Sequence, residues 1–125
     1  MSDMTVVVPH EMIEALAVIE RIGGLELIEK LTELFEKSSR ERALALEAQL
    51  TAGDRKQLSR TAHAVKGSAA QVGAESLRAL AATLEKDAAQ LEAGALQDCV
   101  DALNAEVDRS IALLRTYVRE RGRSE

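Results

Sequence analysis

The chain has 125 residues, enough for one domain burying roughly two-thirds of its unfolded surface. Apolar residues make up 46%, but aromatics only 2%, glycine numbers 7 and Pro9 is the single proline, which excludes a turn-rich β sandwich or barrel and a glycine-looped α/β nucleotide enzyme. With 21 acidic against 16 basic residues and a net charge of -5, the chain has neither the cationic excess nor the stacking rings of a nucleic-acid binder.

Ala, Leu, Glu, Lys, Arg and Gln dominate, the residues that lose least on entering a helix, so the expected class is all-α. A short first helix is predicted from about Pro9 to Arg21, proline suiting a first turn. Gly23 and Gly24 then break the chain. From Leu25 the apolar residues Ile28, Leu31 and Phe35 recur at helical spacing, and Leu46 and Leu50 resume it. The polar stretch Glu36 to Arg42 between them has no Gly or Pro, so one long helix is expected to about Ala52. Gly53-Asp54 ends it, and Asp54 with Gln57 resembles a capping box that opens a third helix running to Gly73. A fourth carries Leu77, Leu80, Ala81, Leu84, Ala88 and Leu91, with Ala93-Gly94 closing it. The last carries Leu96, Val100, Leu103, Val107, Ile111, Leu114 and Val118.

Joined by such short turns, the four longer helices are expected to pack as an antiparallel up-down four-helix bundle, the short N-terminal helix covering one end. One domain spans residues 1–125, with its core at about 25–120 and loose ends at 1–8 and 119–125. The pattern leaves nothing large and apolar over for a dimer interface, so a monomer is expected. Cys99 is the only cysteine, which fits a reducing compartment. No run reaches the roughly 18 to 20 apolar residues of a membrane span, and Met1 to Val8 has no basic region before an apolar core. The expected setting is cytoplasmic.

The third helix carries the candidate chemistry. Its apolar stripe is Leu58, Ala62, Val65, Ala69 and Val72. At about 100° per residue, His63 points roughly 140° from the centre of that stripe and faces outward. Lys56, Ser59, Arg60, Lys66, Gly67 and Ala70 share its side. A lone helical histidine is ordinarily a solvated surface residue. Gly67 argues otherwise here, because a glycine inside a helix costs about 1 kcal/mol relative to alanine. One turn after His63, it clears space beside the imidazole, and Lys66 is placed to hold an anion near the ring. Exposed nitrogen, fixed cation and open approach suit a transient phosphoryl group.

The run His63-Ala64-Val65-Lys66-Gly67-Ser68, with Gly73 ten residues after the histidine, resembles the signature of the histidine-containing phosphotransfer (HPt) domain. The similarity extends from about Leu25 through the last helix and includes the Leu84-Glu85 pair. The resemblance implies a phosphorelay carrier with no ATP site of its own. His63 would accept a phosphoryl group from the aspartyl phosphate of a receiver domain and pass it to another receiver. Lys66 would be the cation near that group, and Gly67 the small residue that admits the partner. No cofactor is implied in this chain; Mg²⁺ is expected in the receiver, and the partners are receiver domains and a hybrid histidine kinase. Two alternatives are a domain phosphorylated directly by a kinase ATP-binding domain and a non-phosphorylated helical interaction module. The Met1 start and the Arg-rich C-terminus argue against the first, the intact His63, Lys66 and Gly67 against the second.

The turn at Gly73 brings Glu85 level with His63, where a carboxylate would hold the Nδ1–H tautomer and leave Nε2 as nucleophile. An exposed Glu on a charged flank is the alternative. Gln71 is a possible partner contact or a plain helix-end residue. Ser68 is read as present for its size, His10 as solvated and Cys99 as a packing residue. No H-x-x-x-H, C-x-x-C or E-x-x-H spacing suggests a metal.

Overall fold

A computed structural model describes residues 7–124. Four helices follow in order: α1 (His10–Ala52), α2 (Arg55–Val72), α3 (Glu75–Asp87) and α4 (Ala93–Ser124), with no strand among the described residues. Pro9 is the N-cap of α1, its carbonyl accepting the N–H groups of Met12 and Ile13. Gly24, at φ 72 and ψ -173, interrupts α1 where the paired glycines predict a break. It splits the element into a short N-terminal arm and a long arm. The polar stretch Glu36 to Arg42 stays helical because its polar side chains are used. Glu36 pairs with Arg40 of its own helix (3.3 Å) and with Arg115, and Arg40 reaches Asp108 at 3.0 Å.

Asp54 caps α2 by accepting the N–H of Gln57 at 3.1 Å, the predicted half of a capping box. Every residue of the predicted α2 stripe, from Leu58 to Val72, is buried. Met12, Leu16, Ile28, Leu46, Leu77, Leu84, Leu103 and Leu114 are among the fully buried residues that pack with it. α1 packs on α2 and α4, and α3 on the same two helices, so each helix has two neighbours around one core. No helix of the described residues is long and apolar enough to cross a membrane.

Two expected boundaries move. Ala93 and Gly94 open α4 instead of closing the preceding helix, which stops at Asp87. Arg55 makes the early stop possible by donating to the carbonyls of Ala88 (2.8 Å) and Leu91 (2.5 Å), acceptors that a shortened helix leaves unpaired. Gly94 sits in the first turn of α4, which no neighbouring glycine or proline would have flagged. Residues 119–124, expected to be loose, continue α4, because Tyr117 donates to Glu20 (2.9 Å) and Arg121 pairs with it (2.8 Å), tying the end of α4 to the short arm of α1. Val8 is likewise buried; the rest of the expected loose ends, residues 1–6 and 125, lies outside the described residues apart from the exposed Val7.

The α2–α3 turn depends on Gly73, which has φ 71. A Cβ there would overlap the carbonyl oxygen of Glu11 and approach Met12 Cα to 2.8 Å, both backbone atoms that cannot swing aside. Gly73→Ala is therefore expected to cost more than the roughly 1–2 kcal/mol of left-handed strain alone, lowering the melting temperature by several degrees. An unchanged thermal melt would contradict this account of the turn.

Candidate functional site

His63 lies in the middle of α2 with its side chain 68% exposed, opposite the buried stripe as the helical phase predicts. Its Nδ1 is 2.8 Å from Glu85 Oε2, across the α2–α3 contact. The other carboxylate oxygen, Oε1, is 2.6 Å from Lys66 Nζ. Glu85 thus joins the imidazole and the ammonium group through one carboxylate. Ser59 fixes the same place on α3 by donating its hydroxyl to the Glu85 backbone carbonyl at 2.8 Å.

The Lys66 hydrogen bond, and next the His63 one, lower the Glu85 pKa below the usual carboxylate range. Glu85 is accordingly ionised at neutral pH. Its pairing is present above the ordinary carboxylate pKa and is lost only as pH falls through the lowered value. An ionised carboxylate accepts and does not donate, so the tautomer of the neutral ring that fits this contact has its proton on Nδ1. The lone pair is then on Nε2, which has no hydrogen-bond partner among the described residues. The chemical capacity is that of an exposed, oriented nitrogen nucleophile.

Gly67 completes this face. It is exposed, and a Cβ built on it would meet nothing within 4 Å. The glycine is therefore not explained by close packing of a neighbouring helix. Lys56, Arg60, Ala70 and Gln71 are also exposed. Ser59 and Ser68 differ from their sequence reading. Ser59, grouped with the outward face, is half-buried and turned to α3 by its bond to Glu85. Ser68, read as chosen for size, accepts a 2.7 Å hydrogen bond from Arg42 of α1. Arg42 belongs to the polar stretch of a different helix, and nothing in the local α2 pattern points to it.

Lys66, read as a cation placed to hold an anion near the ring, is engaged with Glu85. His10 is exposed and pairs with Glu14 at 2.9 Å, while Cys99 is half-buried against the core. Among the described residues, no three His, Cys, Asp or Glu side chains cluster to hold a metal ion.

The Hpt domain family model matches residues 30–117, a span that holds the whole His63–Glu85–Lys66 arrangement. The chain belongs to the Hpt domain family, whose members are phosphocarrier modules of two-component signalling. Neither the curated proteins nor the solved structures yielded a match.

Proposed function

We propose that this chain is a phosphorelay intermediate that accepts a phosphoryl group on His63 from a receiver-domain aspartyl phosphate and passes it to another receiver. The observation that carries the proposal is the exposed imidazole whose Nδ1 is held by Glu85 at 2.8 Å while Nε2 has no hydrogen-bond partner among the described residues. In the transfer step the Nε2 lone pair attacks phosphorus, the N–P bond forms, and the P–O bond to the aspartyl group breaks. Aspartate leaves as its carboxylate. The Nδ1 proton stays on the ring against Glu85, which stabilises the cationic imidazole that carries the phosphoryl group. Glu85 and Lys66 are positioning groups, and Gly67 with Lys56, Arg60, Ala70 and Gln71 forms the surface a receiver meets. Transfer through a loose, metaphosphate-like state needs alignment more than covalent help, which a rigid helix supplies. The receiver brings Mg²⁺ and the acidic pocket.

The carrier acts without an ATP site of its own, as a cytoplasmic monomer served by a hybrid histidine kinase and its receivers. The proposed architecture is an antiparallel bundle. Contacts between α1 and α4 support it: Glu47 with Asn104, Arg40 with Asp108, Glu36 with Arg115 and Glu20 with Tyr117 ascend one helix as they descend the other.

Incubation with a panel of labelled phospho-receiver domains tests the proposal. Label should move to this chain from at least one receiver, and ATP with Mg²⁺ alone should leave it unlabelled. Failure with every receiver would contradict the relay, and labelling by ATP alone would contradict the carrier role.

Lys66→Ala is expected to slow transfer without abolishing it. One charge-assisted contact of order 1.5 to 3 kcal/mol is lost, and Glu85 is left to His63 alone. That is roughly ten- to a hundredfold in rate. A variant that matched wild type at low and moderate salt would show Lys66 to be an ordinary solvated lysine.

A further inference from the structure

The last turn of α3 has no cap of its own and is closed by side chains of α2. α1 and α2 each end on a left-handed glycine, Gly53 and Gly73, whose backbone N–H satisfies carbonyls of the turn before it. At the end of α3, Ala88 stays at φ -55 and ψ -34, its N–H bonds the carbonyl of Leu84, and the N–H groups of Gln90 and Leu91 go to Asp87. No backbone N–H among the described residues reaches the carbonyl of Glu85. Ser59 supplies that donor at 2.8 Å, and Arg55, one turn earlier on α2, does the same for Ala88 and Leu91. Arg55, Ser59 and His63 follow at four-residue spacing, which sets them in one line along α2. Glu85 is held twice from that line, by its backbone through Ser59 and by its carboxylate through His63.

We propose that Ser59 is a positioning residue for phosphoryl transfer: by anchoring the Glu85 carbonyl it fixes the last turn of α3, so that the Glu85 carboxylate stays on Nδ1 of His63 and Nε2 is left as the nucleophile. A single carboxylate that meets His63 at 2.8 Å and Lys66 at 2.6 Å tolerates little movement of the backbone that carries it. Helix ends with unpaired carbonyls are where fraying begins. Without the hydroxyl, the Glu85 carbonyl turns to water and the carboxylate leaves with it. An exposed imidazole that loses its fixed acceptor relaxes toward the Nε2–H form that free histidine favours, and that form has no lone pair on Nε2 to attack phosphorus. Ser59 thus acts through Glu85 and not on the partner: its helical phase groups it with the docking face, but it is half-buried against α3. The inference rests on the relay function proposed above and adds to it the residue that sets how much of the chain is in the reactive tautomer.

Two readouts test it. The ¹⁵N resonances of His63 in the free, unphosphorylated chain report the tautomer of the neutral ring, and the transfer rate measured against receiver concentration reports the consequence. Wild type should be mainly Nδ1–H. Ser59→Ala should move the ring toward Nε2–H and lower the saturating rate about fivefold or more, with the half-saturating receiver concentration within about twofold of wild type, the split expected when alignment and not docking is lost. Ser59→Thr keeps the hydroxyl and should restore both readouts. Asp54→Ala removes the cap of α2, so it should melt lower while leaving the tautomer and the saturating rate unchanged. Should Ser59→Ala fail to fold, Ser59→Cys repeats the measurement with nearly the same volume and only a weak donor.

Wild type found mainly as Nε2–H, or Ser59→Ala with the wild-type tautomer and saturating rate, would overturn the proposal. So would a raised half-saturation alone, which would make Ser59 a docking contact, and so would Ser59→Thr behaving like Ser59→Ala. An equal tautomer shift in Asp54→Ala would assign the effect to general loss of stability and overturn it as well. Absence of labelling by every receiver would instead contradict the relay, an outcome that the resonances of the free chain keep apart from a failure of Ser59 to hold Glu85 on Nδ1.

Discussion

A His63→Gln protein is expected to fold and melt like wild type and to take up no phosphoryl group from any receiver. The side chain is 68% exposed and its one hydrogen bond among the described residues is to Glu85, which keeps Lys66 as a partner when the imidazole is gone. Substitution at so exposed a position ordinarily changes stability by no more than about 0.5 kcal/mol. Glutamine offers an amide in place of the ring nitrogen and has no lone pair able to form a stable bond to phosphorus. The other histidine, His10, is engaged by Glu14 in the first turn of α1 and belongs to no basic face. Label on His10, or label persisting in the variant, would refute the assignment.

The second large effect is expected at Gly67. Gly67→Gln should melt no lower than wild type and yet lose receiver binding and at least about a hundredfold in transfer, the scale at which small misplacements of reacting groups act. A Cβ at this position meets nothing within 4 Å, so the free protein has room for the side chain. Glutamine also favours helix over glycine, and Gly67→Ala should stabilise the protein by up to about 1 kcal/mol. The cost therefore falls on the complex, where a long side chain from the face of His63 would occupy the space that receiver loops must enter. Thermal melts and labelled transfer on one preparation decide the matter. Stability retained with activity lost is the expected pair; both lost, or both retained, would contradict a docking role.

How far these sites were legible in the sequence follows from which interactions are local. The outward phase of His63 and the buried stripe of α2 are set by 3.6-residue periodicity inside one helix, and both are found as read. The break at Gly24 and the caps at Gly53, Asp54 and Gly73 were legible for the same reason, because backbone conformation near glycine and a capping carboxylate is decided within a few residues. Counting residues from the Gly73 turn brought Glu85 level with His63, and the 2.8 Å contact agrees. The boundary at Asp87 was missed because Arg55, from 33 residues earlier, satisfies the carbonyl of Ala88. The end of α4 was missed because its anchor, Glu20, is on the first arm of α1. The pairing of Lys66 with Glu85 is not legible in the sequence, since it exists only once α2 and α3 pack. Arg42 is legible only as the end of a polar stretch, because its bond to Ser68 exists only once α1 and α2 pack.

The central claim concerns one atom. Nuclear magnetic resonance of the ¹⁵N-histidine-labelled chain after phosphorylation by a receiver observes that atom directly. The expected spectrum has phosphorus coupled to Nε2 of His63, with Nδ1 still protonated against Glu85. Coupling to Nδ1, to a nitrogen of His10, or to no nitrogen at all would contradict the account.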